Sequence, residues 1–338
     1  MKIIVDNKIP YIQSSLSLLD AETVYLDGSA ISSDDVRDAD VLIIRTRTRC
    51  NAQLLEGSRV KLILTATIGY DHLDTDYLHR AGIRWYNCPG CNASSVAQYI
   101  ECTLLNMSHD FCLSLSEMTI GIVGCGHVGS RVADVARRYG MNVLICDPLL
   151  NHPDFVPLST LERDADIITF HVPLTHEGLH ATYHLADSSF FDHLQRCPFI
   201  INTSRGAVVD NTSLLHALDG GKVRQAIIDT WENEPRISLP LLNKVYIGTP
   251  HIAGYSADGK VNADNMVLSQ LCAFYHLPSL PPIYPPSLPS PVADESNPLC
   301  FYNPLTDSEA LKCSPTDFEY LRGHYPLRRE SFSSTSSK

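Results

Sequence analysis

The sequence predicts an α/β protein built on two doubly wound parallel sheets, followed by a short C-terminal module. Three observations predict it. Short apolar, β-branched runs alternate with helix-length segments, the pattern of strands buried on both faces and joined by crossover helices. A glycine-rich turn, Gly124-Cys-Gly-His-Val-Gly129, stands directly between one such run and a helical stretch. Three further runs end near Arg205, Glu234 and His251, and an open α/β sheet binds its ligands outside the carboxyl ends of its strands.

In chain order, Lys2-Ile-Ile-Val-Asp6, Val41-Leu-Ile-Ile-Arg45 and Leu62-Ile-Leu-Thr-Ala66 predict strands, with crossover helices over 11–19, 32–38 and 51–55. A stretch without proline or glycine predicts a long helix from Ala93 to Asp110. A second unit, 93–251, has strands beginning at Thr119, Asn142, Ile167, Pro198, Arg224 and Val245. A helix over 257–276 returns the chain to the first unit, which therefore comprises 1–92 and 252–277. The prolines from Pro278 to Pro291 exclude helix and inner strand and predict an extended linker over 278–293. The remainder, 294–338, is a short module with a disordered Ser-rich tail from Ser331.

Composition bounds the partners. At 338 residues the chain can hold two or three domains with sizeable cores. A net charge of −12 without basic stripes argues against nucleic acid. The N-terminus opens as a strand rather than a signal peptide, and no apolar run nears the roughly 20 residues of a membrane span. Eleven scattered cysteines read as reduced thiols. The expectation is a cytoplasmic protein with neither nucleic-acid nor membrane partners.

The glycine-rich turn has a mechanism. Gly124 permits the tight turn, Gly126 lets backbone approach a pyrophosphate, and Gly129 lets the helix pack on the strand. The helix N-terminus that follows favours an anion. Asp147 ends the next strand, near the ~20-residue distance at which a carboxylate accepts from ribose hydroxyls. It repels a 2′-phosphate, and Pro148, Leu149 and Leu150 offer no arginine, so NAD is expected rather than NADP. The second sheet is thus Rossmann-like.

Arg205, Glu234 and His251 suit oxidation of a 2-hydroxy acid. A guanidinium holds a carboxylate in a planar fork, an imidazole takes the hydroxyl proton, and a carboxylate orients and polarises the imidazole.

These segments, with Thr65-Ala-Thr-Ile-Gly-Tyr-Asp-His-Leu-Asp74, Asn202-Thr-Ser-Arg-Gly-Ala-Val-Val-Asp210, Asp229-Thr-Trp-Glu-Asn-Glu-Pro235 and Pro250-His-Ile-Ala-Gly254, resemble the D-isomer-specific 2-hydroxyacid dehydrogenases. The order is kept over most of 1–276. The wording is closest to the branch that oxidises 4-phospho-D-erythronate in pyridoxal phosphate biosynthesis, carried by the opening ten residues, Pro89-Gly-Cys-Asn-Ala93, Tyr255 and the segment Asp317–Glu330. The resemblance implies an active-site cleft between a flavodoxin-like substrate domain, 1–92 with 252–277, and an NAD-binding domain, 93–251. It implies catalytic roles for Arg205 and Glu234, with His251 as acid/base. Asp147, Asp229 and Gly254 would contact the nucleotide, with Ser204, Gly206, His127 and Val128 lining its site. Val172 stands where relatives carry a threonine facing the cofactor, keeping a backbone contact and losing a hydroxyl one. Thr46, Thr67 and Tyr255 would touch substrate. Because the family's larger C-terminal domain is shortened, a homodimer would rest on the nucleotide domain and the helix from Ala93. Alternatives are a relative acting on 3-phosphoglycerate, hydroxypyruvate or glyoxylate, and an NAD-sensing corepressor-like binding protein.

Four features remain. Arg45, Arg47 and Arg49 alternate with period two, so they share one face if the strand continues, and Arg45 and Arg47 are candidates for the substrate phosphate. Arg322, Arg328 and Arg329 are candidates to reach a partner subunit's site. His176, His180 and His184 have helical spacing, but Gly178 predicts a loop and no metal is expected. Cys88-Pro-Gly-Cys91 lacks a second pair or a redox context.

Overall fold

The computed structural model describes residues 1–330; the tail expected to be disordered, from Ser331, lies outside them. The chain forms two compact units: Met1–Asn92 with Ser256–Ser287, and Ala93–Tyr255 with the segment from Leu288 onward.

In the first unit β1 (Lys2–Asp6), β2 (Glu22–Leu26), β3 (Val41–Ile44), β4 (Leu62–Thr65) and β5 (Arg84–Tyr86) form a parallel sheet in the order β2-β1-β3-β4-β5. Side chains of the inner strands alternate between two cores. Ile3, Val5, Val41, Ile43, Leu62 and Leu64 face one, and Ile4, Leu42, Ile44 and Ile63 the other. Each such side chain contributes about 1.5–3 kcal/mol by leaving water, which is why these segments read as unbroken apolar runs. The edge strands β2 and β5 are only half covered and carry Glu22, Thr23 and Arg84. They lack that pattern and were not foreseen. The predicted crossover helices are single turns, Gln13–Leu16, Ser33–Val36 and Ala52–Leu55.

The helix Ala257–Tyr275 closes the first core through Ala263, Val267, Leu268 and Leu271, and ends at His276 in the left-handed conformation, φ 54°. The proline-rich stretch forms neither helix nor strand. Asn265 holds it by accepting from the Ile283 amide at 2.8 Å and donating to its carbonyl at 2.9 Å.

One expectation fails here. β3 stops at Ile44 and the chain turns over Thr46 and Arg47, so Arg45, Arg47 and Arg49 do not share a strand face. Arg45 donates to the Lys8 carbonyl at 3.0 Å.

In the second unit β6 (Thr119–Val123), β7 (Asn142–Cys146), β8 (Ile167–Phe170), β9 (Phe199–Asn202), β10 (Gln225–Ile228) and β11 (Ile247–Gly248) form a parallel sheet in the order β11-β10-β9-β8-β6-β7. The order reverses between β6 and β8, the switch point beside which doubly wound sheets bind ligands. Ile120, Ile122, Ile167, Ile201 and Ile227 pack on one face; Ile168, Phe170, Ile200 and Ile228 pack on the other.

The C-terminal segment covers the exposed edge of β11. Ser308, on the helix Pro304–Cys313, accepts from the Gly248 amide at 3.0 Å, and Lys312 donates to the carbonyls of Val245 and Tyr246 at 2.7 and 3.1 Å. These bonds satisfy backbone groups that an edge strand would leave unpaired. The helix Ala93–Asp110 is itself covered by its own chain: only His109 and Asp110 are exposed. It offers little face to a second subunit.

Candidate active site

β9, β10 and β11 are neighbours, so their carboxyl ends deliver the loops bearing Arg205, Asp229 with Glu234, and His251 side by side. His251 Nδ1 lies 2.8 Å from Glu234 Oε2, and Glu234 Oε1 accepts from the Trp231 amide at 2.8 Å. Burial pushes the Glu234 carboxyl up. The charge and hydrogen bond of His251, the Trp231 amide and Arg322 outweigh that and hold it below the ordinary glutamate range. With Nδ1 turned to Glu234, Nε2 is the atom available to exchange a proton.

His251 has φ 57°, rare for a residue with a Cβ. Its loop is held from the interior. Asp229, 1% exposed, accepts from the amides of Ile252 and Ala253 at 2.7 and 3.0 Å and from the Thr249 hydroxyl at 2.6 Å. Thr249 in turn meets the Tyr99 hydroxyl at 2.9 Å, and its carbonyl accepts from the Trp231 indole at 2.9 Å. Burial raises the Asp229 carboxyl, against the pull of His251 and these hydrogen bonds.

Arg205 donates to the Ser204 carbonyl at 2.8 Å, and its own carbonyl accepts from Asn202 at 3.0 Å. The Ser204 hydroxyl is turned to Asn202, at 2.8 Å. A Cβ at Gly206 would overlap the Trp231 carbonyl, so glycine there allows the Arg205 loop to press against the Glu234 loop.

The dinucleotide elements assemble at the switch point. Gly124 has φ 89°, and a Cβ on it would meet the His171 carbonyl and Val172 Cγ1, each at 2.7 Å. A Cβ on Gly129 would overlap the Gly124 carbonyl, whereas one on Gly126 would meet nothing within 4 Å. The helix His127–Arg138 starts here with Gly126 as its N-cap, and His127 is exposed. Asp147 accepts from the Cys125 amide at 2.8 Å, which fixes a carboxylate beside the turn. A tight glycine turn, open space above it, a helix N-terminus and an adjacent carboxylate fit a dinucleotide.

Comparison with known proteins agrees. Residues 97–253 match the family model described as D-isomer specific 2-hydroxyacid dehydrogenase, NAD binding domain. Over 338 aligned residues the chain is 52% identical to the erythronate-4-phosphate dehydrogenase of Bacteroides thetaiotaomicron, covering 98% of this chain and 97% of the relative. The chain belongs to the D-isomer specific 2-hydroxyacid dehydrogenase family. It is also 42% identical to the Porphyromonas gingivalis protein of the same name, over 98% of this chain and 94% of the relative. Among solved structures, the NAD-bound 3-phosphoglycerate dehydrogenase of Entamoeba histolytica superposes with a TM-score of 0.70 at 25% identity, covering 82% of this chain and 95% of that one. This dehydrogenase is therefore an NAD-dependent oxidoreductase.

Gly254 and Tyr255 form the turn after His251, closed by the Tyr255 amide on the Ile252 carbonyl at 2.8 Å. The Tyr255 hydroxyl accepts from Arg322 at 2.9 Å. Arg322 thus bonds within its own chain, and Arg328 is 4% exposed, buried in its own unit. Val128 is half-buried in the first turn of the dinucleotide helix. In the first unit, Thr67 meets Thr65 at 2.7 Å and donates to the Gly69 carbonyl at 2.9 Å, while Thr46 is exposed.

The loop histidines gave one surprise. His184 meets Glu232 at 2.7 Å and lies with Asp210 in a three-donor cluster within 4.8 Å. These donors also serve the protein: Glu232 accepts from the Asn211 amide at 2.8 Å, and Asp210 caps the helix Asn211–Asp219. Sequence reasoning found no carboxylate for His184 because both partners are remote in the chain. None of the eleven cysteines, all among the described residues, forms a disulfide, buried Cys88 and Cys91 included.

Proposed function

We propose that this chain oxidises 4-phospho-D-erythronate at C2 to 2-oxo-3-hydroxy-4-phosphobutanoate, a step of pyridoxal phosphate biosynthesis. The observation that carries the reading is the end-to-end match, at 52% identity, to a relative named for that substrate. The His251–Glu234 pair supports it.

NAD, when bound, supplies the hydride acceptor for the C2 hydrogen. His251 Nε2 takes the C2 hydroxyl proton, so the alcohol loses a hydride and a proton and becomes a ketone. Glu234 stabilises the imidazolium as it forms and keeps the ring in one orientation. Arg205 holds the substrate carboxylate by charge-assisted hydrogen bonds. Gly124, Gly126, Gly129, His127 and Val128 would seat the pyrophosphate, and Asp147 the ribose. Ser204, Gly206, Val172 and Gly254 would line the same site. Asp229 would act there through the loop it holds. Thr46, Thr67, Tyr255, Arg45 and Arg47 are the substrate contacts to test.

No helix among the described residues is long and apolar enough to cross a membrane. The cytoplasm is the proposed compartment. A homodimer is the proposed assembly, formed through surfaces other than the helix Ala93–Asp110.

The test is NADH formation by purified protein with 4-phospho-D-erythronate beside 3-phospho-D-glycerate, a 2-oxo acid acceptor in a parallel run, and His251→Ala as control. Selective turnover of phosphoerythronate, abolished in the control, is the expected result. Preference for phosphoglycerate would overturn the substrate, and undiminished turnover by His251→Ala would overturn the mechanism.

A further inference from the structure

Two opposite charges grip the backbone that follows His251. Asp229 takes the amides of Ile252 and Ala253. Arg328 takes their carbonyls: Nη1 donates to Ile252 O at 3.3 Å and Nη2 to Ala253 O at 2.9 Å. The peptide groups next to the proton-exchanging residue thus have their donors on an anion and their acceptors on a cation. Neither side of the loop can shift without stretching a charged hydrogen bond.

The rest of Arg328 is spent on anchoring itself. Nη2 also donates to Ser95 O at 2.6 Å and Nε to Gln98 Oε1 at 3.1 Å, both on the helix Ala93–Asp110. Its guanidinium lies 3.9 Å over the Tyr302 ring. The neighbouring residues stitch the same helix, through Gln98 to the Arg329 carbonyl at 3.1 Å and Ser95 to Glu330 at 2.7 Å. Arginine suits this place because one planar fork reaches four acceptors on two elements; lysine has a single ammonium head.

The grip has work to do. His251 stands at φ 57°, a strained conformation that persists only where the surroundings over-determine it.

We propose that Arg328, delivered by the C-terminal segment, is a positioning residue for the His251 imidazole: it fixes the loop that sets the reach of Nε2 toward the substrate hydroxyl. This rests on His251 being the acid/base, and the test separates the two.

Steady-state kinetics on the full chain, with NAD and 4-phospho-D-erythronate, would compare Arg328→Met, His251→Ala and their double variant. Lys312→Met is the structural control, since Lys312 is another C-terminal cation that donates to two backbone carbonyls, those of Val245 and Tyr246. The expected result for Arg328→Met is a kcat lower by roughly 100-fold, the cost of about 1 Å of misplacement, with KM changed less than about threefold. The double variant should be no slower than His251→Ala alone, because Arg328 acts through that ring. Lys312→Met should lower Tm and keep kcat.

Wild-type kcat in a folded Arg328→Met protein would overturn the proposal, as would a further tenfold loss in the His251→Ala background. If Arg328→Met does not fold, Arg328→Lys decides: reduced kcat at unchanged KM and Tm supports positioning, and wild-type kcat refutes it. Undiminished turnover by His251→Ala would instead sink the acid/base reading on which the proposal stands.

Discussion

Glu234 divides its two oxygens between the His251 ring and the Trp231 backbone, each at 2.8 Å. One oxygen therefore fixes the carboxylate to its own loop while the other orients the imidazole of the next. Sharing of this kind couples two loops through one side chain, and it defines what a conservative change would remove.

Glu234→Gln keeps the shape and loses the charge. We expect kcat to fall by roughly 100-fold, within the span of general acid–base effects, with a smaller change in KM. Stability should respond as well. The Glu234 carboxyl is held below its unfolded value, so its contribution is present above that unfolded value and disappears as pH falls through the folded one. Wild type should exceed the glutamine variant in Tm near neutral pH and converge with it in acid. Parallel Tm curves would refute this.

The glycines of the dinucleotide turn should separate by what surrounds them. Gly126→Ala meets no atom within 4 Å, so Tm without cofactor should hold while NAD affinity drops roughly tenfold or more, about 1.4 kcal/mol. Gly129→Ala drives a methyl into the Gly124 carbonyl and should lower Tm itself. Calorimetric titration and thermal melts distinguish the two; unchanged NAD affinity in Gly126→Ala would count against this seat.

Asp147→Ala should weaken NAD by about tenfold through loss of a charged hydrogen-bond acceptor, and it should narrow the preference for NAD over NADP. Fluorescence titration with both nucleotides checks it. Retained discrimination would mean that another group reads the ribose.

Asp264 offers a test in the first unit. It is 1% exposed, and burial raises its carboxyl to about 7 although the Tyr11 amide, Arg45 and Lys260 pull downward. The folded state thus binds its proton more tightly than the unfolded one. Its contribution to stability is fullest below the unfolded value, declines as pH rises, and is lost above about 7. Asp264→Asn should be more stable than wild type at about pH 8, on the order of a few kcal/mol, with the gap shrinking toward about pH 4. Urea midpoints at both pH values would show it, and a constant gap would refute it.

How much of this was legible beforehand depends on where each residue's partners lie. The inner strands, the helices Ala93–Asp110 and Ala257–Tyr275, and the glycine turn are written in local periodicity. So is the delivery of Arg205, Glu234 and His251, because each follows an apolar run that can only be a buried strand. The edge strands Glu22–Leu26 and Arg84–Tyr86 were not legible, since half-covered strands need no apolar alternation. The period-two arginines misled because the chain turns after Ile44, and alternation matters only while a strand continues.

By itself the sequence determined the sheets' inner strands, the nucleotide turn and the placing of Arg205, Glu234 and His251 after three strands, because burial and turn chemistry act between near neighbours. Tertiary structure decided which nitrogen of His251 faces Glu234, what holds its loop, and that Arg328 is buried beneath that loop. These are contacts between residues far apart in the chain: 23 positions separate Asp229 from Ile252, and 76 separate Arg328 from that same residue. No local pattern encodes such pairings. They form only when packing of the whole unit brings a carboxylate and a guanidinium to the two sides of one turn.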